Sequence, residues 1–162
     1  MKIEFTKNEF DTLKATAEAN YKTFEPVRCP YLNEEVAFNV QGLNHIRTKR
    51  WNHGRPEKDQ FMRLKLLYLA PEIIKTSRTL QGVKSGNRME RIKISSRWET
   101  KMVHVTYYEF ISVQETNGGG VCRLRIVVKK TGDSPPCFWS IIPYWRQGIH
   151  GKEMFGGDPE ED

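Results

Sequence analysis

The stretch GLNHIRTKRWNHGR, residues 42–55, holds two histidines, a tryptophan and the cations Arg47, Lys49, Arg50 and Arg55, and not one carboxylate. An uncompensated cluster of this kind attracts a polyanion, and a histidine among cations adds the means to move a proton. His45 and Lys49 stand four apart, the spacing that puts two side chains on one helical face, with Leu43 and Ile46 on the opposite side. Cationic neighbours favour the neutral imidazole, the form that accepts a proton at pH 7. Chemistry suited to such a group is metal-free RNA cleavage, in which the 2′-hydroxyl is an internal nucleophile. It needs a proton acceptor, a donor to the leaving oxygen and cations around the phosphorane.

A second cluster lies near the other end. In VCRLRIVVKK (121–130), alternation separates Cys122, Leu124, Ile126 and Val128 from Arg123, Arg125, Val127 and Lys129. Arginines two residues apart on a strand are roughly 7 Å from each other, close to the spacing of successive phosphates. The alternative is a solvated outer face balanced by acids such as Glu109. Phe138, Trp139, Ser140, Tyr144, Trp145 and Arg146 then interleave aromatic rings with a hydroxyl and a guanidinium. Rings beside cations suit unpaired bases.

These residues need elements to hold them. Thr6 and Glu9 form a capping-box pattern, which predicts a helix over 6–20. EVAFNV (35–40) reads as a short strand, and LNHIRTKRW (43–51) as a short helix. The stretch from Glu57 to Arg78 is apolar on most of its circumference, with Pro71 kinking it or starting a second helix. Residues 81–91 have the Gly, Ser and Asn content of an exposed loop. From 92 onward β-branched and aromatic residues dominate. RIKISSRWE, MVHVTYYEFISVQE, VCRLRIVVKK and CFWSIIPYW read as four strands joined by turns such as NGGG and TGDSPP. The fold class expected is α+β, with N-terminal helices packed on one face of a four-stranded antiparallel β-meander and the other face open.

The chain has 162 residues and a net charge of +6, from 26 basic and 20 acidic side chains. Glu153, Asp158, Glu160, Glu161 and Asp162 put five of those acids in the last ten residues, which leaves +11 over residues 1–152. The expected organisation is one domain over 1–152 and an acidic, mobile tail over 153–162 that could shield the basic face. No apolar run reaches the ~18 residues of a membrane span, and MKIEFTKNEF lacks the apolar stretch of a signal peptide, so a cytoplasmic chain without a membrane partner is expected. Cys29, Cys122 and Cys137 show no CxxC or CxxH spacing, which suggests packed thiols rather than a disulfide frame or zinc site. Signatures of nucleotide hydrolysis, dinucleotide binding, zinc proteolysis and lipase chemistry are absent, as is an acidic cluster for two metals, so no cofactor or metal is expected.

The order HIRTKR, FMRLKLLYLAPEIIK, RLRIVVKK and FWSIIPYW, over residues 36–146, resembles the phage-linked nuclease toxins of the Barnase, EndoU, colicin and RelE-like superfamily. The resemblance implies a metal-independent endoribonuclease whose open sheet face cuts single-stranded RNA, often tRNA or mRNA, leaving a 2′,3′-cyclic phosphate. By that likeness His45 matches a helix-borne base or acid, Lys49 its partner one turn on, Arg125 the sheet cation and Ser140 a small hydroxyl that orients the phosphate. Arg47, Arg50, Arg123, Lys129, Trp139, Tyr144 and Trp145 would hold substrate. The rival readings are a non-catalytic RNA-binding or ribosome-associated module using the same face, and a protein-interaction domain meeting an acidic antitoxin or immunity protein.

Overall fold

The computed structural model describes residues 4–49, 53–115, 119–144 and 158–161. Helix α1 spans Lys7–Tyr21 and opens on the capping box. Thr6 Oγ1 accepts from the Glu9 amide at 3.2 Å, and Glu9 Oε2 accepts from the Thr6 amide at 2.6 Å. Two amides that a helix start leaves without partners are thereby satisfied. The helix buries Phe10, Ala17 and Tyr21.

Strands β1 (Val27–Cys29) and β2 (Glu34–Val36) form a small antiparallel pair. The strand expected over 35–40 stops at Val36, because Asn39 caps the next helix by accepting from the Gly42 amide at 3.1 Å. Helix α2 is Val40–Arg47, so it both starts and ends earlier than the 43–51 read from periodicity. Thr48 adopts an extended conformation, and the Lys49 amide donates to His53 O at 2.7 Å, which turns the chain back. Helices α3 (Glu57–Leu66) and α4 (Ala70–Thr76) are joined by a 3-10 turn at Leu67–Leu69. Pro71 lies in the first turn of α4, where its missing N–H costs nothing.

The main sheet has the order β3-β4-β5-β6, an antiparallel meander of Gly82–Ile94, Arg97–Glu115, Val121–Thr131 and Cys137–Tyr144. With helices toward the N-terminus, this is the expected α+β arrangement. One boundary differs. Residues 81–91, expected as a loop, lie mostly in the edge strand β3, and the break falls at Ser95 and Ser96, whose φ values are 46° and 70°. Small polar residues are tolerated on an edge strand whose faces stay half wet, and paired left-handed residues make a tight hairpin.

β3 pairs with β4 from Gly82↔Glu109 to Ile94↔Arg97, but β5 joins β4 only from Val105↔Thr131 onward. Residues 87–104 therefore extend beyond the sheet as a two-stranded ribbon. On the helical face, Phe110, Leu124, Ile126, Val128, Phe138 and Ile141 pack against Leu43, Ile46, Leu64, Leu67, Ile73 and Ile74. The opposite face carries a smaller cluster of Val105, Tyr107, Val127, Trp139 and Ile142. Alternation in β5 is as read from sequence, and all three cysteines are buried and free. No helix among the described residues is long and apolar enough to cross a membrane.

Candidate functional site

The second sheet face forms the floor of a cleft of about 920 Å³, walled by α2 and the loop after it on one side and by β3 on the other. Cross-strand register builds that floor, since Lys84 stands opposite Tyr107 and Tyr107 opposite Lys129. Trp139 reaches it through a bulge: Val127 pairs with Ser140 and Val128 with Phe138, so Trp139 is the extra residue of β6. A bulge aims a side chain that regular pleating would send elsewhere. Trp139 lies between the His45 ring, stacked at 4.5 Å and 22°, and the Lys129 ammonium, 3.9 Å from the indole centroid.

α2 and its C-terminal loop contribute Gln41, Asn44, His45, Thr48 and Lys49. His45 is buried, and its Nε2 lies 3.1 Å from Arg55 NH2, while Arg55 Nε donates to the His45 carbonyl at 2.9 Å. A guanidinium only donates, so Nε2 carries the lone pair and the ring is neutral, with its proton on Nδ1. Behind Arg55, Asp59 accepts from Arg55 NH1 at 3.4 Å and from Arg63 Nε at 2.7 Å, and Arg63 NH1 donates to Ser140 Oγ at 2.7 Å. Burial pushes the Asp59 carboxyl up, but Arg63 and then Arg55 outweigh it and hold the group below its ordinary value. Two buried arginines thus share one carboxylate, and the line His45, Arg55, Asp59, Arg63, Ser140 ties α2, α3 and β6 together.

The acidic segment 158–161 does not stand off in solvent. Asp158 Oδ1 accepts from Arg88 NH2 at 2.8 Å, and Pro159 O accepts from Trp139 Nε1 at 3.1 Å. Glu160 Oε1 accepts from Lys129 Nζ at 3.1 Å and from the Tyr107 hydroxyl. Lys129 also donates to Glu90 at 2.9 Å. Burial and then Glu160 push the Tyr107 phenol far above its usual range, which keeps it a neutral donor. Of the tail expected over 153–162, residues 158–161 make four contacts inside the cleft.

The cleft gathers four of the expected site residues: His45, Lys49, Lys129 and Trp139. Lys49 is there for a different reason than expected, since it follows the end of α2 rather than sitting one helical turn beyond His45. Arg125 lies elsewhere on the same sheet face, buried against Glu109 at 3.4 Å, with its guanidinium 6.0 Å from the Tyr144 ring. Ser140 is fully buried and faces Arg63, so the expected role of orienting a phosphate does not fit its position. Arg47 turns away to Glu18 at 3.0 Å. Arg123 and Tyr144 are cross-strand neighbours that do not line the cleft. Arg50 and Trp145 lie outside the described residues.

Sequence reasoning missed Arg88, Lys84, Tyr107 and the Arg55, Asp59, Arg63 series. Two signals were present: period-two alternation of Lys84, Gly86, Arg88 and Glu90, and the four-residue spacing of the Arg, Asp, Arg series. Within the aromatic cluster, Trp139 is buried. With His45 and Lys129 against it, the Trp139 indole is a packed hydrogen-bond donor rather than a platform for a base. Among the described residues no group of three His, Cys, Asp or Glu side chains is placed to hold a metal ion. Comparison with protein-family models, curated proteins and solved structures finds no match.

Proposed function

We propose that the cleft binds the phosphate backbone of single-stranded RNA. The supporting observation is the cleft's own occupant. Residues 158–161 place two carboxylates, two residues apart, on Arg88 and on the Lys129 and Tyr107 pair. The segment is a tight turn, with the Glu161 amide donating to the Asp158 carbonyl at 2.8 Å and the Glu160 amide to Asp158 Oδ1 at 3.1 Å, and it sets both carboxylates on donors of one cleft. A site that accepts two anionic groups in this way presents cations, a phenol and an indole N–H to a polyanion, and contacts of this kind to a phosphate backbone do not depend on base sequence.

RNA cleavage is the second reading. What favours it is the neutral imidazole of His45 in the same wall as Lys49, across the floor from Lys129. Because Nε2 already accepts from Arg55, His45 takes up a proton only when that contact opens.

Anisotropy of a labelled linear oligoribonucleotide tests binding. If Lys49, Lys84 and Arg88 each meet one phosphate, log affinity should fall against log salt with a slope of about two, at roughly 0.7 per phosphate. A slope near zero rejects the proposal. Incubation with total RNA in the presence of chelator then separates an enzyme from a binder.

A further inference from the structure

The ribbon of residues 87–104 leaves the sheet directly from the cleft. Eight cross-strand pairs, Asn87↔His104 to Ile94↔Arg97, carry it about 25 Å outward at roughly 3.3 Å per residue. Arg88 and Arg91 line the cleft and also stand at its root. Along the ribbon are Arg88, Arg91, Lys93, Arg97 and Lys101 against only Glu90 and Glu99. Glu90 is engaged by Lys129, and Glu99 lies 3.6 Å from Lys101. Arg91, Lys93 and Arg97 pair with no carboxylate among the described residues.

The register sorts these cations onto both faces. Arg88↔Val103, Glu90↔Lys101 and Ile94↔Arg97 lie on one face, Met89↔Met102, Arg91↔Thr100 and Lys93↔Trp98 on the other. A ribbon laid on a flat anionic surface would need its cations on one side. Cations on both sides fit a groove, where a phosphate backbone runs along each flank. A two-stranded ribbon has the width of the B-form major groove, and the wide, shallow minor groove of duplex RNA lets a ribbon lie across it with phosphate and 2′-hydroxyl contacts on both flanks. Trp98, 56% exposed with the Arg91 guanidinium 5.5 Å from its ring, adds the stacking surface that the cleft lacks.

We infer that the ribbon holds a double-stranded RNA stem, so that the preferred ligand is a stem continuing into a single-stranded segment seated in the cleft. This rests on the reading of the cleft as an RNA site. Two labelled RNAs test it, one linear and one with the same single-stranded sequence extended by a short hairpin stem. The wild-type chain should bind the stem-bearing RNA at least tenfold more tightly at moderate salt. Lys93→Gln combined with Arg97→Gln changes two exposed positions outside the cleft, and thermal melting checks that the fold is intact. The double variant should lose the stem preference while its affinity for linear RNA stays within twofold. Its salt slope on the stem-bearing RNA should be shallower by nearly two, at about 0.9 per duplex phosphate.

Equal wild-type affinity for the two RNAs overturns the inference and leaves the cleft reading standing. A stem preference that survives in the double variant also overturns it. No binding of either RNA overturns both. A DNA hairpin that competes as well as the RNA hairpin overturns the choice of RNA, and polyglutamate bound in place of the stem, with the same loss in the variant, makes the ribbon a protein-docking arm instead.

Discussion

Removing residues 158–162 should tighten RNA binding by about two- to tenfold at low salt. The size follows from the contacts. The hydrogen bond from Lys129, whose side chain is only 4% exposed, to Glu160 is charge-assisted and contributes about 1.5–3 kcal/mol. The Arg88 to Asp158 pair, with side chains 29% and 34% exposed, adds about 0.5 kcal/mol, and the Trp139 N–H to Pro159 and the Tyr107 O–H to Glu160 about 1 kcal/mol each. Against this, fixing the backbone of residues 158–161 costs roughly 1 kcal/mol per residue. The two sides nearly cancel, so closed and open forms differ by no more than about 1.5 kcal/mol, a ratio of roughly one to ten in favour of closure. Apparent affinity falls with the fraction open, and deletion restores it. Titration of labelled linear RNA measures the change directly. Glu160→Gln should recover part of it, because Gln keeps the shape and loses the charge. At roughly 0.15 M ionic strength the gap should narrow as ions screen the partly exposed pair. Unchanged or weaker binding by the truncated chain at low salt would show that the segment does not compete with RNA.

Asp59→Asn should destabilise the fold by about 3 kcal/mol, since it leaves Arg55 and Arg63 buried without their shared counter-charge. The folded-state pKa of Asp59 is lowered from 3.8, so its contribution is present above that value and lost as pH falls through the lower folded value. Urea titrations of the variant should accordingly lose less stability than wild type below about pH 4, and parallel acid limbs would contradict the assignment. Gly42→Ala should cost about 1–3 kcal/mol, because a Cβ there would overlap the Phe138 carbonyl oxygen and come 2.8 Å from the Tyr21 hydroxyl. An unchanged melting temperature would refute that tight approach. If the chain cleaves RNA, His45→Ala should lower single-turnover cleavage by about 10² to 10⁴ with affinity changed little. Full rate in that variant removes His45 from the chemistry, and intact RNA with wild type across pH 5 to 8 leaves binding alone.

The sheet was legible in sequence wherever a strand has one dry face, as in β5, where alternation separated Leu124, Ile126 and Val128 from Arg123 and Arg125. β3 was not, because both its faces are partly wet and its Ser, Gly and Asn residues carry the composition of a loop. Helix α1 announced its start through Thr6 and Glu9, a local signal. The end of α2 depends on the reversal at Lys49 and His53, which no short pattern marks. At the cleft, types and spacing pointed to His45, Lys49, Lys129 and Trp139. Arg125 and Ser140 have equally suitable chemistry, and only packing shows that Glu109 and Arg63 engage them.

The bulge at Trp139 also gives the molecule an optical gauge. Its indole N–H is bonded to the carbonyl of the segment that fills the cleft, and its ring lies between an imidazole and an ammonium. With Trp51, Trp98 and Trp145 replaced by phenylalanine, the remaining tryptophan emission, excited at a wavelength that tyrosine does not absorb, comes from Trp139 alone. Its intensity and wavelength would then follow, without a label, which anion occupies the cleft and how fast one replaces another.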